Sequence, residues 1–142
     1  MSKTVLDLFS GCGGLSYGLE LAGFEIAAGV DSWKDALVTF KRNHNDSITL
    51  EHDLSTSLPS DFLASLGNID IVVGGPPCQG FSISGPRNPK DPRNSLYKGF
   101  VNAVRSLKPK AFILENVPNL VAMANGSIKE QIIKDFEDLG YT

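Results

Sequence analysis

The chain has little cysteine, no long apolar run and no surplus of positive charge, and each shortage removes a class of function. Only two cysteines, Cys12 and Cys78, occur in 142 residues. They form neither a disulfide framework nor the paired spacing of a metal site, so two free thiols in a reducing cytoplasm are expected and no metal. No apolar stretch approaches the ~20 residues of a bilayer span, and Met1-Ser2-Lys3-Thr4-Val5 is too short and mixed for a secretory signal, which leaves no membrane partner. A net charge of −3 argues against a chain that coats nucleic acid non-specifically. Repeats, linkers and low-complexity segments are missing too. What remains is one soluble domain over residues 1–142, with 42% hydrophobic residues to build its core.

The charge is unevenly spread. Between Gly85 and Lys110 stand seven basic residues and one acid, Asp91, so that segment carries +6 and the remainder −9. A local basic surface of this kind can meet phosphates although the chain is acidic. Arg105 to Lys110 fits a solvated helix face equally well.

Apolar periodicity lays out alternating strands and helices. Val5 to Phe9 reads as a strand, followed by a glycine turn and a helix with Leu15, Leu19 and Ala22 at helical spacing, ending at Gly23. Ile26 to Val30 is a second strand. Ser32 and Asp35 resemble a capping box for a helix whose Trp33, Ala36, Leu37 and Phe40 share one face. A short strand at Ile48 to Leu50, a helix at Pro59 to Leu66, and a continuous apolar strand at Ile69 to Val73 follow. Leu96 to Leu107 is a helix, Ala111 to Leu114 a strand, and Ser127 begins a last helix stopped by Gly140. The pattern predicts an α/β fold with a doubly wound, mostly parallel, Rossmann-like sheet and right-handed crossovers.

In such sheets ligands bind beyond the carboxyl ends of the strands. Those ends hold the chemistry-bearing residues: Phe9 to Gly14, Asp31, Asp53, Pro76 to Gln79, and Glu115-Asn116. Gly11-x-Gly13-x-x-Ser16 lacks the last glycine of the dinucleotide fingerprint, yet Asp31 lies 20 residues after Gly11, a spacing that suits an acid gripping ribose hydroxyls. This predicts an adenosine site and leaves a dinucleotide-dependent oxidoreductase open. Asp31 and Asp53 also fit helix-cap or turn acids. Cys78 is mounted differently from a core thiol. Pro76 and Pro77 fix their own φ angles and Pro77 keeps Pro76 out of the helical region, so the backbone delivers Cys78 in one extended geometry. Beyond it, Gln79 to Ser95 is rich in Pro, Gly, Asn, Ser and charge, the composition of an exposed loop.

Asp7-Leu8-Phe9-Ser10-Gly11-Cys12-Gly13-Gly14-Leu15, Pro76-Pro77-Cys78-Gln79-Gly80-Phe81-Ser82 and Glu115-Asn116-Val117, in this order and spacing, resemble the leading motifs of the cytosine carbon-5 DNA methyltransferases. Asp91-x-Arg93-Asn94-x-Leu96 is similar to a further one, and the likeness runs from Thr4 to Tyr141. It implies S-adenosylmethionine as cofactor, cytosine in double-stranded DNA as substrate, and Cys78 as nucleophile, as in the modification enzyme of a bacterial restriction system. By the same matching Phe9, Gly11, Gly13, Asp31, Asp53, Leu54, Pro77 and Leu96 line the cofactor pocket and Glu115 faces the base. Ser32 departs from the pattern, since many members carry an adenine-stacking aromatic there. The family pattern also continues beyond this point with a base-holding motif, a target-recognition region and a last motif that returns to the pocket. These 142 residues are therefore expected to be the N-terminal catalytic portion, as a truncated chain or one half of a split enzyme, with little activity alone. A relative acting on transfer RNA and a non-catalytic half remain alternatives.

The chemistry asks for the same residue types. Carbon 5 of cytosine is a poor nucleophile, so a thiolate must first add to carbon 6. A carboxyl donating to ring nitrogen 3 stabilises the charge that develops, which expects a buried, protonated Glu115. The base must leave the duplex, and the loop carrying Gln79, Ser82, Arg87 and Arg93 is expected to close behind it.

Overall fold

A computed structural model describes residues 2–77, 94–121 and 126–142. Its five strands are β1 (Thr4–Leu8), β2 (Glu25–Asp31), β3 (Ile48–Glu51), β4 (Ile71–Gly74) and β5 (Ala111–Leu114), all parallel, in the spatial order β3-β2-β1-β4-β5. The helices are α1 (Gly14–Leu21), α2 (Lys34–Asn43), α3 (Ser60–Ser65), α4 (Asn94–Leu107) and α5 (Ser127–Glu137), with a 3-10 turn at Pro118–Val121. The α/β fold expected from periodicity is the fold observed.

Alternation along the central strands builds two cores. Leu6, Leu8, Ala28, Val30 and Val72 pack with Phe62, Phe100, Val104 and Phe136 from α3, α4 and α5. Val5, Ile26 and Val73 face the other way, against Phe40 of α2 and Leu19 of α1. Both faces of β1 and β4 are thus covered, which is why β4 reads as an unbroken apolar run and β1 is interrupted only by the buried Asp7. Beside β5, Phe112 and Phe136 stack at 3.9 Å between ring centroids, and Tyr141 meets Phe112 edge-on. From β1 the chain winds outward to β2 and β3, then returns to place β4 on the other side of β1. That reversal opens a crevice at the carboxyl ends of β1 and β4.

Three expectations need correction. Ser32 does not cap α2, which starts at Lys34 without a side-chain cap; just ahead of the helix, Asp31 Oδ1 takes the Trp33 N–H at 2.8 Å. Trp33 is 66% exposed and shares no buried face with Ala36, Leu37 and Phe40, because at the cap its backbone is extended and not helical. On α1 the fully buried side chain is Ser16, while Leu15 is exposed: the helix is turned so that Ser16 Oγ donates to the buried Asp7 carboxylate at 2.6 Å. Among the described residues, no helix is long and apolar enough to cross a membrane, and no cluster of three or more potential metal-ligating side chains occurs.

Candidate cofactor and catalytic site

The turn between β1 and α1 is built from residues with positive φ: Phe9 at 57°, Gly11 at 52° and Gly13 at 89°. Glycine adopts this region freely; for phenylalanine it costs on the order of 1–3 kcal/mol, and such strain concentrates at functional sites. The turn is held by three backbone donors. Ser10 N–H reaches the Val30 carbonyl at 3.1 Å, Gly13 N–H the Ser10 carbonyl at 2.9 Å, and Gly11 N–H the Asp31 carboxylate (Oδ2) at 2.9 Å. Asp31 therefore ties the turn to the end of β2, and its other oxygen takes the N–H of Trp33, the residue before α2. A carboxylate oxygen accepts about two hydrogen bonds, so among the described residues each keeps a free position. Ser10 Oγ is buried without a partner among the described residues.

Phe9, Asp31, Ser32, Leu54, Gly75, Pro77 and Leu96 line a cleft of about 250 Å³ at these strand ends. Five of the eight residues expected around the cofactor, Phe9, Asp31, Leu54, Pro77 and Leu96, are brought together here. Gly11 and Gly13 shape the turn that follows Phe9 and are not among the residues lining this cleft. Asp53 is exposed, its Oδ1 accepting the Ser55 N–H at 2.9 Å, and that hydrogen bond holds its carboxyl below the usual range. It shapes the turn that presents Leu54.

The Leu54 wall depends on a close approach. Gly99 of α4 lies so near that a Cβ there would collide with the Leu54 carbonyl oxygen. At the end of β4, Gly74 is also packed against a carbonyl, that of Leu8 in β1, where a Cβ would collide. The two strand ends that frame the crevice can approach only because glycine stands at this position.

Across the crevice Glu115 follows β5. Its N–H donates to the Gly74 carbonyl at 2.9 Å, and its carboxylate lies over Gly75, where a Cβ would meet Oε2 at 2.9 Å. The side chain is exposed, contrary to the burial expected, because β5 is the outermost strand among the described residues and nothing there covers its end. Asn116, part of the Glu115-Asn116-Val117 motif but given no role from sequence, donates its Nδ2 hydrogen to the Pro76 carbonyl at 2.9 Å, and its Oδ1 accepts the Val117 N–H at 2.8 Å. Glu115-Asn116 thereby grips the Gly74–Pro76 segment that leads to the thiol. Cys78, Gln79, Ser82, Arg87 and Arg93 lie outside the described residues; Pro77, which precedes Cys78, forms part of the cleft wall.

Chemically, the cleft offers apolar walls from Phe9, Leu54, Pro77 and Leu96 and one carboxylate with free acceptor positions. That combination suits a flat heterocycle with hydroxyls beside it.

Comparison with known proteins bears on the whole chain. Over 142 aligned residues it is 42% identical to the Type II methyltransferase M.DdeI of Desulfomicrobium norvegicum, covering 96% of this chain and 34% of that protein. It is 40% identical to the Type II methyltransferase M1.HphI of Haemophilus parahaemolyticus, covering 99% of this chain and 39% of that protein. The chain thus spans between a third and two-fifths of the length of these curated relatives. Among solved structures, a DNA modification methyltransferase encoded within an E. coli prophage superposes with a TM-score of 0.79 at 35% identity, over 96% of this chain and 38% of that one. Residues 3–142 match the family described as C-5 cytosine-specific DNA methylase, and the chain belongs to that family.

Proposed function

We propose that these residues form the cofactor-binding and catalytic portion of a DNA cytosine-5 methyltransferase of a type II restriction-modification system, with S-adenosylmethionine as methyl donor. The observation that carries the reading is the convergence of Phe9, Asp31, Leu54, Pro77 and Leu96 on one cleft. Apolar walls suit an adenine ring, and the free acceptor positions of Asp31 suit ribose hydroxyls. When bound, the cofactor supplies an electrophilic methyl group.

The remaining steps fall to the chain's own residues. Cys78, as thiolate, adds to carbon 6 of a cytosine flipped out of the duplex, which makes carbon 5 nucleophilic. Glu115, as the acid, donates to ring nitrogen 3 and stabilises the adduct; with its carboxylate over Gly75, it faces the segment that leads to Cys78. Asn116 fixes that segment through the Pro76 carbonyl. Gln79, Ser82, Arg87 and Arg93 belong to the loop that closes on the substrate. Target recognition is assigned to the part of the relatives that these 142 residues do not cover, so the 142 residues alone carry the pocket without site-specific methylation. The names of the matched curated proteins favour this over transfer RNA as substrate.

Isothermal calorimetry of the chain with S-adenosylmethionine, and with NADH as control, tests the reading. Binding of the former alone is expected. Binding of NADH alone would overturn it.

A further inference from the structure

The last residue of α2 and the residue after it send two side chains back across 31 positions to one place. Asn43 Nδ2 donates to the Cys12 carbonyl at 3.0 Å. His44 Nε2 lies 3.1 Å from the Gly13 carbonyl, which can only accept, so this nitrogen carries the proton. Consecutive donors thus meet consecutive carbonyls of the β1–α1 turn.

His44 is the more constrained of the two. It is 1% exposed, its Nδ1 sits 2.9 Å from Glu20 Oε2 on α1, and its ring lies tilted against Phe40 at 4.6 Å between centroids. One ring therefore joins the turn, α1 and α2. Gly13 leaves no room between them: a Cβ there would stand 2.5 Å from His44 Nε2 and 2.9 Å from Phe40 Cδ2. The Gly13 carbonyl already accepts the Tyr17 N–H at 2.8 Å, the first helical bond of α1, and His44 takes its second lone pair.

We infer that Asn43 and His44 form a two-point clamp that sets the shape of the β1–α1 turn, and through it the position of Phe9 and Asp31 in the cofactor cleft. Neither residue lines that cleft, so both are positioning residues. Apolar packing alone would seat the end of α2 on the sheet; two polar side chains directed at the carbonyls of a single turn restrict its path. The restriction bears on the cleft because the turn begins with Phe9, held at a strained φ, and contains the Gly11 N–H that Asp31 accepts. The inference rests on the cofactor reading given above.

The test uses the 142-residue chain and three variants. Asn43→Asp keeps shape at an exposed position and removes the donor. His44→Phe keeps an aromatic ring in an apolar site and removes both nitrogens, whereas His44→Gln retains a donor near Nε2. Calorimetry with S-adenosylmethionine is expected to show affinity lowered about three- to tenfold in Asn43→Asp and His44→Phe, the range one net hydrogen bond allows, with His44→Gln restored toward the parent. Amide hydrogen exchange at Gly11 and Gly13 is expected to accelerate in the first two variants, with the thermal midpoint of Asn43→Asp unchanged. Parent-like exchange at these amides in both Asn43→Asp and His44→Phe would overturn the clamp, whatever the affinity. Accelerated exchange in a chain whose parent does not bind S-adenosylmethionine would keep the clamp and count against the cofactor reading. Accelerated exchange with parent-like affinity would overturn its link to the cofactor cleft.

Discussion

Asp7 stands in the middle of β1 with 1% of its surface exposed and one side-chain donor, Ser16 Oγ, at 2.6 Å. Burial raises its pKa from 3.8 to about 6; the Ser16 hydrogen bond and the charge of His44 pull in the other direction and lose. The folded carboxyl therefore keeps its proton up to about pH 6, whereas the unfolded chain releases it near 3.8. Across that window the folded state binds more protons, so stability contributed by Asp7 is present at the acid end, falls as pH rises, and is lost above about 6. The shift corresponds to on the order of 3 kcal/mol. Asp7→Asn, which cannot ionise, is expected to flatten this slope, seen as a urea midpoint that falls less between acid and neutral pH than in the parent. Parallel pH profiles for the two proteins would mean that Asp7 is ionised in the fold throughout. Nothing in Asp7-Leu8-Phe9 announced this, because an acid at a strand position alternates in sequence as a solvent-facing residue would; its burial is set by α1, whose Ser16 turns inward to meet it. Ser16 itself was legible only as the place where a third glycine was missing.

At the scale of elements, Gly99 carries the sharpest consequence. A glycine inside a helix costs roughly 0.5–1 kcal/mol relative to alanine, so an unconstrained α4 would gain from Gly99→Ala. Here the new Cβ would collide with the Leu54 carbonyl oxygen and stand 2.9 Å from its carbon. Backbone cannot rotate away as a side chain can, and the overpacking is expected to cost about 1–3 kcal/mol net of the helical gain. Because Leu54 lines the cleft, the same shift is expected to weaken S-adenosylmethionine binding. A thermal melt and a calorimetric titration of Gly99→Ala check both; a raised midpoint with unchanged affinity would mean that α4 moves aside freely. The elements were readable because each has its own period: β5 runs from Ala111 to Leu114 as expected, and the other strands shift by a few residues at most. What was not readable was the seam between elements. Ser32 with Asp35 has the spacing of a capping box, but Asp31, one residue earlier, reaches the Trp33 N–H first and so displaces α2 to start at Lys34. Gly99 likewise carries no sequence mark to show that it faces a carbonyl.

For the molecule as a whole, the cleft was largely foreseeable. Phe9, Asp31 and Pro77 follow strand ends, which a parallel sheet brings together whatever the loop details, whereas Leu54 and Leu96 were singled out only through the family resemblance. The clamp from α2 was not foreseeable, since Asn43 and His44 lie 31 positions from their acceptors with no pattern linking them. Charge is also a property of the whole chain. The +6 between Gly85 and Lys110 faces a remainder of −9. Lys110 is already paired with Asp70 at 2.5 Å, which leaves at most six of the seven basic residues for phosphates. Lys98 and Arg105, seven apart on α4 and exposed, share one face. Duplex binding by the 142-residue chain is therefore expected to be weak and to lose affinity with salt at a logarithmic slope no steeper than about −5. It is also expected not to distinguish one duplex sequence from another, because phosphate contacts position a protein without reading bases. Fluorescence anisotropy with several unrelated duplexes across roughly 50 to 200 mM salt measures both quantities. Preference for one duplex by more than about tenfold, the discrimination expected of base-edge contacts, would place target recognition within these residues and overturn its assignment to the part of the relatives they do not cover.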